Sequence, residues 1–348
     1  MSIASIGKER KVLVTGATGF LGSRLVKEMV GKHYSVRALV RKTSKIDHLK
    51  KLHVEIFYGD VADKASLEPA FSGVNVVVHA AADTMGNVIE SKRTTVDGTK
   101  NIIELSMQHK IDKLIYISSC SVYGISECRP EQVVDEKGLV ERYPEKRGSY
   151  SEAKIKAEAL LLSFARENNI PFVCLRPGTI LGEGGDIFTP MMGFSFRKKL
   201  FAIIGNGKFI LPLVCIDNLV DAIILALESK NSTRHIYNVV NFDQVTKKEY
   251  VNILLRKLYP KAIFLYVPYS FIYIIVLIQE VIFGLLKRQP LVSRYRLTSS
   301  QRSVTYDSSK IKKELNWNPV TSLHAAIGKV LALELARAND KLQNKDKG

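Results

Sequence analysis

Residues 15–22 read TGATGFLG. They follow an apolar run, 11–14, and lead into an amphipathic stretch ending at Gly31, which predicts a strand, a glycine-rich turn and a helix. Gly16 lets the chain turn sharply, Gly19 leaves no Cβ between backbone and a pyrophosphate, and Gly22 lets helix and strand pack closely. The helix N-terminus, with Thr18, Phe20 and Leu21 at the turn, can then bind phosphate. GxxGxxG alone is a weak signal; its place at the first strand-to-helix junction of an alternating chain points to a dinucleotide. The second strand, Ser35–Val40, is followed by Arg41 and Lys42. No carboxylate stands there for an adenosine 2′-hydroxyl, whereas a guanidinium matches a 2′-phosphate in charge and shape, so NADP(H) is favoured over NAD(H).

The 348 residues suffice for one large or two modest domains. The start, MSIASIGKER, has no apolar stretch of the kind that directs secretion, and a cytoplasmic protein is expected. Cys120, Cys128, Cys174 and Cys215 show neither CxxC pairing nor a dense framework, so reduced thiols and no metal are expected. The net charge of +17 raises nucleic acid as a partner. The basic residues are dispersed and accompany no nucleic-acid-binding motif, so no nucleic-acid partner is expected; anionic small molecules or a membrane surface fit the charge.

Further apolar runs at 54–58, 74–79, 114–118 and 172–175 alternate with helical patterns, predicting βαβ units and a parallel sheet. The fold expected is α/β, a Rossmann-type doubly wound parallel sheet with a smaller, mainly helical substrate domain. Residues 1–178 and 213–242 are assigned to the dinucleotide domain, 179–212 and 243–335 to the substrate domain, and 336–348 to a basic, frayed C-terminal tail. Asp217 is expected to cap a helix over 219–227.

The fifth strand ends in YISSCSVYG, 116–124, which brings Ser118, Ser119 and Ser121 to the carboxyl edge of the sheet, where ligands bind in such folds. Some thirty residues on, SYSEAKIKAEALLLSF opens a helix, with Ser149 and Glu152 at capping-box spacing. Tyr150 and Lys154 stand four apart on one side. An adjacent ammonium can lower a phenol's pKa, letting Tyr150 exchange a proton with a substrate oxygen held by Ser119 while hydride moves. A second YxxxK, Tyr306 and Lys310, lacks an upstream strand-end serine and is read as structural.

TGATGFLG, YGDVAD, HAAAD, VDGTKN, YISSCSVYG, YSEAK, LRPGTILG, CIDNLVDA and ELNWNP stand in order along residues 11–321. In these pieces the chain resembles the extended short-chain dehydrogenases/reductases of the NAD-dependent epimerase/dehydratase superfamily. Its VRALVR and RPG elements look most like the branch of dihydroflavonol reductases and 3β-hydroxysteroid-type dehydrogenases. The resemblance implies Asp60 and Val61 by the adenine, Ala80, Ala81 and Ala82 by the ribose and pyrophosphate, and Pro177, Gly178 and Ile180 against the nicotinamide. It implies Ser119, Tyr150 and Lys154 in catalysis, with Ser118, Tyr150 and Lys154 also at the cofactor. Thr95 replaces the Asn common before VxGT, and Gly178 the Asn usual in sugar-nucleotide epimerases. Leu211 and Pro212 occupy the neighbourhood of those enzymes' phosphate-gripping Arg.

Residues 263–286, IFLYVPYSFIYIIVLIQEVIFGLL, are almost wholly apolar. Gln279, Glu280 and Pro268 argue against a membrane span. The readings left are a buried helix lining an apolar substrate pocket, a homodimer contact, or peripheral membrane attachment through Tyr259, Tyr266, Tyr269 and Tyr273 with the basic flank Lys287, Arg288, Arg294 and Arg296. The expected activity is NAD(P)-dependent interconversion of a secondary alcohol and ketone on a small, lipophilic substrate. The alternatives are a nucleotide-sugar epimerase or dehydratase using the same Ser, Tyr and Lys, and a noncatalytic NADP-sensing protein.

Overall fold

The computed structural model describes residues 10–84, 87–230 and 234–345, with side chains to 340. Seven strands form the central sheet: β1 (Lys11–Thr15), β2 (Ser35–Val40), β3 (Glu55–Tyr58), β4 (Val76–His79), β5 (Lys113–Ile117), β6 (Phe172–Pro177) and β7 (His235–Val239). All pairs are parallel, in the order β7-β6-β5-β4-β1-β2-β3. The order reverses at β1, which opens a crevice between the carboxyl ends of β1 and β4. Both faces are covered. Val12, Val14, Val76 and Val78 point into one layer, under α1 (Phe20–Gly31) and α4 (Ile216–Glu228). Leu13, Val77 and Tyr116 point into the other, under α2 (Gly98–Gln108) and α3 (Ser149–Asn168). Two-sided burial makes such strands read as unbroken apolar runs, and the expected Rossmann-type sheet is what forms.

The helix ends differ from their expected caps. Gly148, at φ +91°, is the N-cap of α3 and supplies no side chain, while Glu152 pairs with Lys156 at 2.6 Å. The capping box therefore does not form. α4 starts at Ile216, so Asp217 lies inside its first turn and accepts from Arg24 Nε at 2.7 Å instead of capping.

The second part of the chain holds more strand than expected. Ile263–Val267 pairs in parallel with Leu200–Ile204, which pairs antiparallel with Gly193–Phe196. Phe264 and Tyr266 pack inward while Ile263 and Leu265 face out, a period of two that suits a strand and not a helix. Pro268 then precedes α5 (Tyr269–Leu285), 17 residues long, which packs on α6 (Arg294–Gln301). Among the described residues no helix is long and apolar enough to cross a membrane. α7 (Leu323–Lys345) continues through 336–345, where a frayed tail was expected, because the helix carries on past its packed first turns; 346–348 lie outside the described residues.

Two tethers tie distant segments to the sheet. Trp317 is completely buried in the α1–α4 layer and donates Nε1–H to the Asn218 carbonyl at 2.9 Å. Asn218 donates Nδ2 to Thr321 O at 2.7 Å and accepts from Thr321 N at 3.1 Å. In the opposite layer Arg176 on β6 donates Nε to both oxygens of Glu158 on α3, at 3.1 and 3.2 Å, and Nη2 to Oε1. Ser118 Oγ donates to the same carboxylate. These side chains are 2% and 3% exposed, so removing one partner strands a buried charge at a cost of about 3–5 kcal/mol. Glu158→Met is expected to lower stability by that order, and Glu158→Met with Arg176→Met to recover much of the loss. Urea unfolding of both variants checks this; a double variant no more stable than the single would show that charge pairing is not what holds α3.

Candidate active site

The glycine-rich turn is a cradle that a side chain would fill. Gly16 has φ +68°, and a Cβ there would lie 2.8 Å from Ala81 N; at Gly22 it would lie 2.1 Å from Gly16 O. Gly19 caps α1 without a side-chain bond and no acidic residue occupies the first turn, so the opening amides of the helix face an anion unobstructed. These residues fit a dinucleotide pyrophosphate. Thr18 is half-buried at the turn, but Leu21 is buried and the Phe20 ring packs against Gly182 and Gly185, so those two offer backbone and not side chain.

A chain of hydroxyls and one histidine holds the opposite wall, where Ala80, Ala81 and Ala82 are half-buried. Thr15 Oγ1 accepts from Ala81 N at 3.2 Å and bonds His79 Nδ1 at 2.7 Å; His79 Nε2 bonds Thr99 Oγ1 at 3.0 Å. Burial, with the Lys154 ammonium nearby, lowers His79 to about 3 and keeps it neutral. Thr99 donates to Thr95 O at 2.5 Å, and Thr95 Oγ1 accepts from Asp83 N at 3.0 Å. Thr95 thus braces the backbone itself.

At the expected adenosine end, Asp60 accepts from Ala62 N at 3.0 Å and pairs with Arg93 at 2.9 Å. Val61 is buried beneath Gly98, its carbonyl accepting from Asn101 Nδ2 at 2.9 Å. Arg41 is 59% exposed with Nη1 4.0 Å from Glu90, which also pairs with Arg93 at 3.2 Å; Lys42 is exposed. Sequence reading missed Arg93 and Glu90, whose nearness to Arg41 arises only in the tertiary fold.

Ser119 and Tyr150 come together at the end of β5. The Ser119 hydroxyl accepts from Ser121 N at 3.1 Å and stands close enough to the Tyr150 phenol to act on its ionisation. Burial raises the Tyr150 pKa, and the nearby Ser119 hydroxyl works against that rise. Lys154 Nζ donates to Ile117 O at 2.7 Å and lies 5.2 Å over the Tyr116 ring, so the strand end satisfies one N–H of the buried ammonium. The Ser118 hydroxyl donates to Glu158. Glu158 had a sequence signal, standing four residues beyond Lys154 on the same helix face. In the second YxxxK, Lys310 donates to Ile236 O at 3.0 Å and Tyr306 reaches toward Cys120 O at 3.5 Å, both on backbone.

The NAD dependent epimerase/dehydratase family matches residues 12–240. The chain belongs to this family. It is 25% identical to a 4-hydroxy-2-methyl-3-oxo-4-farnesyl-3,4-dihydroquinoline-1-oxide ketoreductase of Stigmatella aurantiaca, over 88% of this chain and 91% of that one. It is 26% identical to the decarboxylating sterol-4-alpha-carboxylate 3-dehydrogenase of Mus musculus, over 92% and 90%. It is 27% identical to a 2-alkyl-3-oxoalkanoate reductase of Stenotrophomonas maltophilia, over 94% and 100%. A UDP-glucuronic acid 4-epimerase from Bacillus cereus, solved with NAD, shares the fold at a TM-score of 0.71 with 21% identity, over 94% of this chain and 99% of that one. The chain is an extended short-chain dehydrogenase/reductase of the 3β-hydroxysteroid dehydrogenase-like branch, an NAD(P)-dependent oxidoreductase of the CH–OH class.

The departures of this family member have steric causes. A Cβ at Gly178 would lie 2.3 Å from Pro212 O, so no asparagine fits after Pro177. Leu211 is buried, and with Ile180, Ile187, Met192 and Tyr250 it lines a small apolar cavity of about 10 Å³. Beside α3 the Arg296 guanidinium lies against Gly148, its Cζ 3.1 Å from where a Cβ would stand.

Burial lowers Lys154 to about 8, and outside the site lowers Lys113 to about 8 and Lys247 to about 7. The unfolded chain, with lysines near about 10.4, binds more protons above these values, so stability rises with pH through the window. Buried thiols raised by desolvation oppose this once unfolded cysteines ionise, above about 8.5. The urea midpoint is expected to rise between about pH 7 and about pH 8.5, and Lys247→Met to flatten the rise. A midpoint falling across that range in the parent protein would contradict the assignment.

Proposed function

We propose that this protein interconverts a secondary alcohol and a ketone on a lipophilic small molecule, using NADP(H) in preference to NAD(H). The observation that carries the reading is that Ser119, at the carboxyl end of β5, and Tyr150, in the first turn of α3, come together at the sheet edge where the glycine-rich cradle also lies. When bound, the nicotinamide supplies or accepts the hydride. The chain's own residues handle the proton. In oxidation Tyr150 takes the proton of the substrate hydroxyl as the C–O bond becomes double; in reduction it returns that proton to the carbonyl oxygen. Ser119 holds the same oxygen, lowering the barrier as charge develops on it. Lys154, with one N–H on Ile117 O, has two donors left for a ribose and keeps positive charge behind the tyrosine.

The lipophilic substrate is supported by the names of the sterol and farnesylated-quinoline relatives. Two relatives' names print a carboxylate, the sterol-4-alpha-carboxylate and the 3-oxoalkanoate, and the cation we propose for such a group is Arg296, whose guanidinium lies against Gly148, two residues before Tyr150. The buried Leu211 and the closed space at Gly178 weigh against a nucleotide-sugar substrate. A lipophilic substrate partitions into bilayers, so the reading includes a cytoplasmic enzyme working beside a membrane.

NADPH consumption over lipophilic ketones, with and without a carboxylate, tests the activity. Tyr150→Phe is expected to reduce turnover by at least about a hundredfold while cofactor affinity stays within about twofold. Near-parental single-turnover hydride transfer in that variant would reject Tyr150 as the proton donor.

Cofactor preference rests on Arg41, whose loose pair with Glu90 a 2′-phosphate can displace. Arg41→Ala is expected to weaken NADP(H) by roughly 1.5–3 kcal/mol and NAD(H) little. Calorimetric titration of both decides it, and equal losses would make Arg41 a bystander.

A further inference from the structure

Two of the polar residues that interrupt the apolar run of α5, Gln279 and Glu280, face the protein, while Ser270 stays exposed in its first turn. Gln279 exchanges two hydrogen bonds with the backbone of Val292, at 3.0 and 3.2 Å, and Glu280 accepts from Arg294 N at 2.7 Å and from its guanidinium. Ile272 and Val276 pack inward on Ile204 and Leu297. The outer face is therefore unbroken: Phe271, Ile274, Ile278, Val281, Ile282 and Leu285, spaced mostly by three or four, are 48–80% exposed.

That face continues onto the three-stranded sheet. Ile204 stands opposite Val267, and both pack under α5. Two residues back along the same face come Phe194, Ala202 and Leu265 in one row, then Phe196, Leu200 and Ile263 in the next. α5 covers only the first row; Phe194, Phe196, Ile263 and Leu265 remain 48–68% exposed. Helix and sheet thus present one apolar surface, of the kind soluble proteins keep for a partner.

The end of this surface is cationic. Ile263 N bonds Lys199 O at 2.9 Å, and immediately beyond lies an open cavity of about 230 Å³ lined by Lys198, Lys199, Lys261, Tyr259, Pro260 and Ala262. No carboxylate lines it, and none of the three ammonium groups has an ion-pair partner among the described residues. Lys287 and Arg288, both exposed, follow the end of α5. The tyrosines expected at an interface serve otherwise: Tyr269 bonds Thr298 at 2.9 Å, Tyr273 packs on Tyr269 and Tyr266 packs inward, which leaves Tyr259 at the cavity. Arg294 is likewise engaged by Glu280.

We propose that this surface docks on an anionic phospholipid bilayer, with α5 and the bare sheet rows entering the acyl boundary and the lysine cavity taking a lipid phosphate. A second copy of the chain would bring the same uncompensated lysines against one another, whereas an anionic lipid supplies the missing charge. The surface does not depend on which substrate is turned over.

Flotation of the full chain with phosphatidylcholine vesicles, with and without phosphatidylglycerol, tests it. Strong binding to anionic vesicles is expected, weakened by high salt. Lys198→Gln, Lys199→Gln and Lys261→Gln together should lower anionic-vesicle affinity by on the order of a hundredfold, leaving weak binding to both vesicles. Phe196→Asp should lower binding to both. NADPH titration and urea unfolding of each variant report that the fold is kept and are independent of membrane binding. No flotation of the parent protein, or a dimer in sedimentation that Phe196→Asp dissolves, would overturn the proposal, the second result assigning the patch to another copy of the chain. Unchanged binding in the lysine variant would overturn the phosphate site.

Discussion

The buried carboxylate of Glu158 is the constraint on which the site depends. It takes Arg176 from β6 and Ser118 from the end of β5 at once. Tyr150, Lys154 and Glu158 lie four residues apart on α3, so anchoring the third sets the height and rotation of the other two. Ser119 follows Ser118 directly. The hydroxyl pair at the crevice is therefore positioned by charges that never touch a ligand. A buried ion pair is poor evidence of stability, but it is directional, and direction is what a proton-transfer site needs.

The sheet was legible because its central strands are buried on both sides and read as largely apolar runs. Smaller elements were not. Ile263–Val267 continues directly into the apolar α5, so its alternation is hidden in a sequence where both the inward and the outward residues are apolar. The capping-box spacing at Ser149 and Glu152 was real, yet Gly148 at positive φ leads the chain into α3 by a different path. Local spacing says what a segment can do; long-range pairing decides whether it does it.

Within the site, the residue types and order of Ser119, Tyr150 and Lys154 were readable, and their electrostatics were not. The lowered Lys154 and raised Tyr150 come from burial, a property of layers assembled from segments far apart in sequence. Arg93 and Glu90 stand some fifty residues from Arg41, and nothing in their local pattern sets them apart from other surface charges. Gln279 and Glu280 argued from sequence against a membrane span; only their inward orientation leaves the outer side of α5 from Phe271 to Leu285 apolar.

Trp317 has a consequence for how the chain comes to be folded. It fills the layer beneath α4, and its only side-chain donor is satisfied by Asn218, 99 residues earlier. While the chain is being synthesised from its N-terminus, the sheet can assemble, but this hollow stays empty until residue 317 has been made. Up to that moment the half-built layer exposes apolar surface. Completion of the layer is thus tied to a segment about a hundred residues beyond the helix it supports.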